Sequence, residues 1–457
     1  MAKKKNKKAP KKSTSPQFKS PRLIAAQGLA QVAVRYPNLF DIQIETSELK
    51  PQDIALAHAI FKTGLHRWRT IEAILNKFSH KKFKTYRPAI QGVLASAVAQ
   101  FVFMQRIPDH AVANESVKVA KQILRQGEPA LINAICRNIT ESISSVEKGE
   151  WLPSERSVPT EDGYVNFTVR VMPHPGNPLT HLAVATSLSD MIVKQWGKAY
   201  GWGQASELCQ HACATGPLVL KVEDSFEIEV GHLNYIAHQE AGFILWQGSY
   251  TAMTDFLTEN PERRVQDVAS VRVMEATRKL RPKRILDYCA GKGTKTKQAA
   301  TMHPDAQVIA MDVDQKRGAI LAESLASISS VQVVAPDAVK QAVDAMDGVD
   351  LLMLDVPCTN SGVLGRRLEA RYRFNAQRLA DLVEIQREIV EKTVPMLVVG
   401  GHLLYSTCSL EAEENVDQVD WICQTLGFEL ISFEQTLPKG IAETYQDGSY
   451  YALLKKC

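Results

Sequence analysis

From about residue 266 the chain alternates short apolar runs with longer amphipathic stretches, and most of the short runs close on an acid or a small polar residue. The runs are Arg284–Asp287, Val308–Asp312, Val331–Val334, Leu351–Asp355 and His402–Ser406. Between them lie Thr294–Met302, Gln315–Ala326 and Ala376–Met396, with apolar residues at helical spacing. Strand–helix–strand repetition of this kind predicts a parallel sheet with helices on both faces. Two further runs, Glu429–Phe433 and Tyr450–Lys455, have no helix-length connection of that kind, and the last is expected to pair antiparallel. A sheet of this class binds ligands outside the carboxyl ends of its strands, so the acids that end the runs matter more than the runs themselves.

The rest of the chain reads differently. From 21 to 147, apolar residues recur every three or four positions in Leu23–Val34, Ile54–Ile60, Ile71–Ile74, Ile90–Phe103, Val112–Ile123 and Leu131–Ile143. Turn signals at Pro51, Pro108 and Gly127-Glu128-Pro129 separate them, and a helical bundle is expected. Residues 148–180, rich in proline, read as a linker or irregular insertion. Residues 181–264 mix helical and strand-like runs (Leu218–Val222, Phe226–Val230, Gly242–Leu245) and are expected to form a small α/β module. The catalytic-looking part spans 265–457.

Charge is uneven. Residues 1–22 hold nine Lys and Arg and no acid, while the whole chain has 54 basic against 50 acidic residues. The body is therefore mildly acidic and residues 1–20 form a basic tail expected to be disordered. Two readings of it stay open, a solubilising tail and an arm that follows phosphates. Eight scattered cysteines make no disulfide framework, and no apolar segment follows the basic start, so the chain is expected to be cytoplasmic. The uncharged run Pro88–Gln105 carries three glutamines and reads as a buried helix rather than a membrane span. Cys209-x-His211-x-Cys213 fits no metal spacing, and no metal is expected.

Three features carry chemistry. The loop Cys289-Ala290-Gly291-Lys292-Gly293-Thr294-Lys295 follows the first strand, where a glycine turn brings backbone close to a nucleotide. Gly293 rather than Ser or Thr follows Lys292, which excludes a phosphate-binding P-loop. Asp312 ends the second strand, where a ribose-binding carboxylate belongs. Asp355 and Cys358 lie at the end of the fourth strand and Cys408 at the end of the fifth, so the three can converge on one crevice.

These segments, DYCAGKGTKT, MDVDQKR, APDA, LDVPCTNSGVLGRR and YSTCS, together with VQDVAS at 265–270, resemble the RNA 5-methylcytosine methyltransferases of the bacterial Fmu/RsmB (Sun) type. The N-terminal part resembles their NusB-type RNA-binding domain, best in Ile107–Val117 and Ile132–Arg137. The resemblance implies a Rossmann-like S-adenosyl-L-methionine-dependent domain with one antiparallel strand, behind an all-α NusB-like domain. It implies Cys408 as nucleophile on cytosine C6, since addition of a thiolate there makes C5 nucleophilic. Cys358 would help the C5 proton leave, and Asp355 would hold the base near N3. The loop Cys289–Lys295 would hold the methionine part of the cofactor, Asp312 the ribose, and Asp337 would border the adenine. RNA, most of all small-subunit ribosomal RNA, is the implied partner, with no membrane, and a monomer is expected. Where the family loop reads CAAPGGKT this chain has Gly291, Lys292 and Thr294, which bears on cofactor affinity. The alternative is a non-catalytic RNA-binding or ribosome-assembly factor on the same fold, which loss of either cysteine would favour. The basic and aromatic run Arg366–Phe374 is expected to grip RNA phosphates and stack a base.

Overall fold

The computed structural model describes residues 19–40, 42–229 and 231–457. The expected basic tail lies outside the described residues except for Lys19 and Ser20. The chain forms two compact units, one running to Ser144 with Phe167–Val171 added, the other made of Ser145–Asn166 and Met172–Cys457.

The first unit is the helical bundle. Its helices are α1 (Pro21–Arg35), α2 (Pro51–His66), α3 (Trp68–Phe78), α4 (Pro88–Phe103), α5 (Asp109–Ile123) and α6 (Glu128–Ser142). Proline stands in the first turn of α1, α2, α4 and α6, where its missing N–H costs nothing and its fixed φ suits the helix. Helix α4 is buried from Ile90 to Val102, which accounts for the uncharged run: a helix hydrophobic all round is a core helix. No helix among the described residues is long and apolar enough to cross a membrane.

Residues 148–180 are not without regular structure. Strand β1 (Ile143–Lys148) is followed by β2 (Ser157–Pro159) and β3 (Gly163–Phe167), in the order β1-β3-β2. Then come α7 (Pro178–Ala185), α8 (Asp190–His211), β4 (Val219–Lys221), β5 (Tyr235–Ala237), β6 (Phe243–Trp246), α9 (Tyr250–Glu259) and β7 (Arg264–Val265). The last four strands form a sheet in the order β5-β6-β4-β7, and every pairing in it is antiparallel. Two of the three expected runs are strands there. Phe226–Glu229 is not, and its phenyl ring instead packs beside Tyr235 and Phe256.

After α10 (Val268–Glu275) the large sheet begins. It comprises β8 (Arg284–Asp287), β9 (Gln307–Ala310), β10 (Val331–Val333), β11 (Val349–Asp355), β12 (Leu397–Thr407), β13 (Phe428–Thr436) and β14 (Ser449–Lys456). Their order is β10-β9-β8-β11-β12-β14-β13, with β14 antiparallel to both neighbours as expected of the last run. The connecting helices are α11 (Thr294–Met302), α12 (Gln315–Leu325), α13 (Val339–Asp344), α14 (Ala370–Arg373), α15 (Ala376–Thr393) and α16 (Val416–Leu426). Both faces of the sheet are covered, so central strands have no polar side. Leu286, Leu352, Leu354 and Leu403 pack with Val390, Val419 and Ile422 on one face. Ile285, Leu351, Met353 and Leu404 pack with Val273, Met274 and Ala299 on the other. This largely apolar interior leaves the strand ends as the place where most polar side chains gather.

Candidate active site

Strand order reverses between β8 and β11, which places the ends of β8, β9, β11 and β12 around one crevice. Parallel register pairs Leu286 with Ile309 and with Leu352, and Asp355 with Ser406. The expected site residues fall at these ends.

The loop after β8 has glycines with positive φ at Gly291 (59°) and Gly293 (89°). A Cβ on Gly293 would come within 2.9 Å of the Leu321 side chain, so the loop lies close on α12 at a point where only glycine fits. A Cβ on Gly291 would meet nothing within 4 Å, so the loop borders open space. Asp312 is buried just past β9. Its Oδ2 accepts the Gly291 N–H (2.9 Å), and its Oδ1 accepts the Asp314 N–H (2.8 Å) and the Arg317 Nε–H (2.9 Å). A carboxylate fixed against a glycine loop at a helix N-terminus suits a nucleoside with a ribose diol and a carboxylate of its own. Lys292 is exposed on that loop, and Asp337 is exposed in the turn between β10 and α13. Cys289 is part-buried, and burial raises its pKa, with Asp287, Asp355 and Asp312 adding to the effect.

The two other cysteines meet. Cys358 Sγ and Cys408 Sγ lie 3.2 Å apart, both as free thiols, Cys358 buried and Cys408 half-buried. The hydrogen bond with Cys408 holds the Cys358 pKa well above its ordinary value, and burial adds to this. Asp355 Oδ2 accepts from Lys295 Nζ (2.7 Å) and Oδ1 from Ser406 Oγ (2.9 Å). Burial opposes the Lys295 charge, but Asp355, Cys408 and Asp287 around it outweigh that and raise its pKa. Lys295 thus joins the glycine loop, on which it is carried, to the end of β11.

Several site residues were not singled out in the sequence. Asn360 adopts a left-handed backbone (φ 62°), accepts from Cys408 Sγ (3.3 Å) on its Oδ1 and donates from Nδ2 to the Cys358 carbonyl (2.8 Å). Asp287, at the end of β8, is buried and accepts from Thr296 Oγ1 (2.7 Å). Its signal was available, since it closes an apolar run as Asp312 and Asp355 do. Asn360 lies inside the segment LDVPCTNSGVLGRR, but nothing in its spacing marks a role for it. Gly362 lets the β11 loop approach Cys408 closely: its N–H donates to the Cys408 carbonyl (2.9 Å), and a Cβ there would meet that oxygen at 2.9 Å.

The run Arg366–Phe374 corrects an expectation. Arg366 is turned inward, paired with Asp447 and Asp267 and bonded to the Pro217 carbonyl (2.6 Å). Arg371 is fully buried and donates to the carbonyls of Ala212 and Leu364 (2.9 Å each). Tyr372 and Phe374 are buried, and the Tyr372 hydroxyl lies 2.8 Å from Ser187 Oγ. The basic and aromatic side chains at these four positions are internal struts. Arg367 is exposed.

A seven-stranded sheet with this order and an acid-ended second strand beside a glycine loop defines a Rossmann-like S-adenosyl-L-methionine-dependent methyltransferase. Residues 278–453 match the model of the family described as 16S rRNA methyltransferase RsmB/F, and residues 19–141 match that of the NusB family. The chain is 26% identical over 427 residues to the probable ribosomal RNA small subunit methyltransferase B of Bacillus subtilis (strain 168), covering 89% of this chain and 88% of that protein. It is 26% identical over 447 residues to ribosomal RNA small subunit methyltransferase B of Vibrio cholerae serotype O1, covering 95% and 97%. The crystal structure of PH0851 matches the fold with a TM-score of 0.65 at 18% identity, over 96% of this chain and 99% of that one. Residues 278–453 are thus similar to the RsmB/F RNA methyltransferases, and residues 19–141 ahead of them to the NusB family.

Proposed function

We propose that the protein methylates C5 of a cytosine in small-subunit ribosomal RNA through a covalent adduct between Cys408 and C6. The observation that carries this reading is the pair of free thiols 3.2 Å apart at the ends of adjacent parallel strands, beside Asp355 and Lys295. Cys289–Lys295 would hold S-adenosyl-L-methionine, with Asp312 at its ribose and Asp337 near its adenine, and the bound cofactor would supply the methyl group.

Cys408 is the more accessible member of the pair and lies near the Lys295 ammonium, which suits it to be the nucleophile. Its addition to C6 breaks the C5–C6 double bond and leaves C5 electron-rich. Asp355, oriented by Lys295 and Ser406, holds the base at N3 and steadies the positive charge that a protonated adduct carries. Cys358 keeps its own proton at rest because Cys408 and burial disfavour its thiolate. Once Cys408 is bonded to C6 that influence is gone, so Cys358 can give up its proton to solvent; its thiolate then takes the C5 proton, the C5–C6 double bond re-forms and the C6–S bond breaks, which frees Cys408. C5 and C6 must reach Cys408, so the target base leaves any helix it sits in. The NusB-type domain, bounded at about 21–147, holds the RNA, with 148–180 as linker, 181–264 as a small module and 265–457 as the catalytic domain. We place this activity in the cytoplasm, in a monomer.

The test uses wild type, Cys408→Ala and Cys358→Ala with S-adenosyl-L-methionine and ribosomal RNA on denaturing gels. A protein–RNA band that accumulates only with Cys358→Ala is expected, because the C5 proton stays in place. No band from Cys358→Ala refutes the two-cysteine reading, and no 5-methylcytosine from wild type refutes the activity itself.

A further inference from the structure

Glu414 ends the short turn Ala412–Glu414 and is fully buried, a costly place for a carboxylate unless its oxygens are fully used. They are. Oε1 accepts the Thr359 N–H (2.9 Å) and Gln386 Nε2–H (3.0 Å), and Oε2 accepts the hydroxyls of Thr359 and Ser409 (2.5 Å each). Thr359 directly follows Cys358, and Ser409 directly follows Cys408. Behind it, Tyr405 and Gln386 anchor the turn, since the Tyr405 hydroxyl donates to the Glu414 carbonyl (2.8 Å) and lies 3.2 Å from Gln386 Oε1. One carboxylate therefore grips the residue after each cysteine and is itself fixed to α15 and β12.

We propose that Glu414 is a positioning residue that ties the two cysteine loops together and so sets the separation of the Cys358 and Cys408 sulfurs. It reaches neither sulfur by a hydrogen bond, so it acts through the loops. The inference rests on the two-cysteine reading above and sharpens it. Addition to C6 needs only Cys408, whereas release needs Cys358 at a defined distance from the adduct. Loosening the tie therefore slows release more than addition.

Wild type, Glu414→Ala, Glu414→Gln, Ser409→Ala and Cys358→Ala are compared with S-adenosyl-L-methionine and 16S ribosomal RNA, with adduct formation and release followed by quenching on denaturing gels. Thermal melting and cofactor titration check the fold. In Glu414→Ala, release should slow by about tenfold to a hundredfold, the effect of a misplacement of about 1 Å, and the adduct should accumulate. Glu414→Gln should recover most of the wild-type release rate, since both hydroxyls can turn and accept from the amide. If Glu414→Ala does not fold, Ser409→Ala cuts the tie from one side and should accumulate adduct as well. A folded Glu414→Ala or Ser409→Ala with no more adduct than wild type overturns the inference alone, provided Cys358→Ala does trap RNA. No adduct from Cys358→Ala overturns both readings.

Discussion

Asp287 offers a quantitative test of how the crevice floor is built. Its carboxyl is 1% exposed, with Thr296 Oγ1 as donor. Burial pushes its pKa up to about 7; the Thr296 hydrogen bond and Lys295 pull it down, while Asp355 and Asp312 push it further up. In the unfolded chain the same group loses its proton near pH 3.9. The folded state thus binds the extra proton between those values, and the associated stability is fully present below about pH 4 and lost as pH rises through about 7. Roughly three pKa units correspond to about 4 kcal/mol overall, of which about 2.5 kcal/mol falls between pH 5 and pH 8. Asp287→Asn keeps an acceptor for Thr296 and removes the titration. Urea unfolding of both proteins at pH 5 and pH 8 gives the difference directly, because every other titrating group is common to both. The variant should lose about 2.5 kcal/mol less than wild type over that interval. It can start lower at pH 5, since its amide N–H groups need partners, without affecting that comparison. Parallel losses in the two proteins would refute the idea that Asp287 is held protonated by burial.

Three further variants test the same geometry. Arg371→Met should destabilise the protein by about 3 kcal/mol in urea unfolding, because it strips two buried carbonyls of their donor. It should leave the salt dependence of RNA binding unchanged, whereas Arg367→Ala, on an exposed residue, should change stability by no more than about 0.5 kcal/mol. Gly362→Ala should cost about 1–3 kcal/mol by forcing backbone away from Cys408 and lower methylation by about a hundredfold. Its cofactor affinity, measured by calorimetry, should stay within about twofold, because the atoms nearest a Cβ at Gly362 belong to Cys408 and Gly448 and not to the glycine loop.

Much of this was legible in the chain. Arg284–Asp287 and Thr294–Met302 have the bounds read from the sequence, because strand and helix periods differ sharply there. The convergence of Asp355, Cys358 and Cys408 followed from their places at strand ends. Periodicity does not report direction outside regular elements, and Arg366–Phe374 shows the cost. Arg366 and Arg371 look like phosphate ligands in a list of residue types, yet their guanidinium groups satisfy internal carbonyls and acids. Glu414 was invisible for the converse reason: in the acidic string Glu411-Ala412-Glu413-Glu414 a buried carboxylate and a solvated one are spelled alike. The strands β2 and β3 escaped notice because prolines dominate their surroundings and each is too short to show alternation.

The place of β14 inside the sheet has a consequence for how the chain is made. Ser449–Lys456 is synthesised after Phe428–Thr436 but lies between it and β12. While a ribosome is still adding these residues, β12 has an open edge on that side, and β13 has no partner to fold against. Cys408, at the tip of β12, is then carried by a strand paired on one side only. The catalytic end of the molecule is thus assembled late, by a strand that must slip between two that already exist. A nascent chain halted before Ser449 should expose a sticky edge to any passing strand.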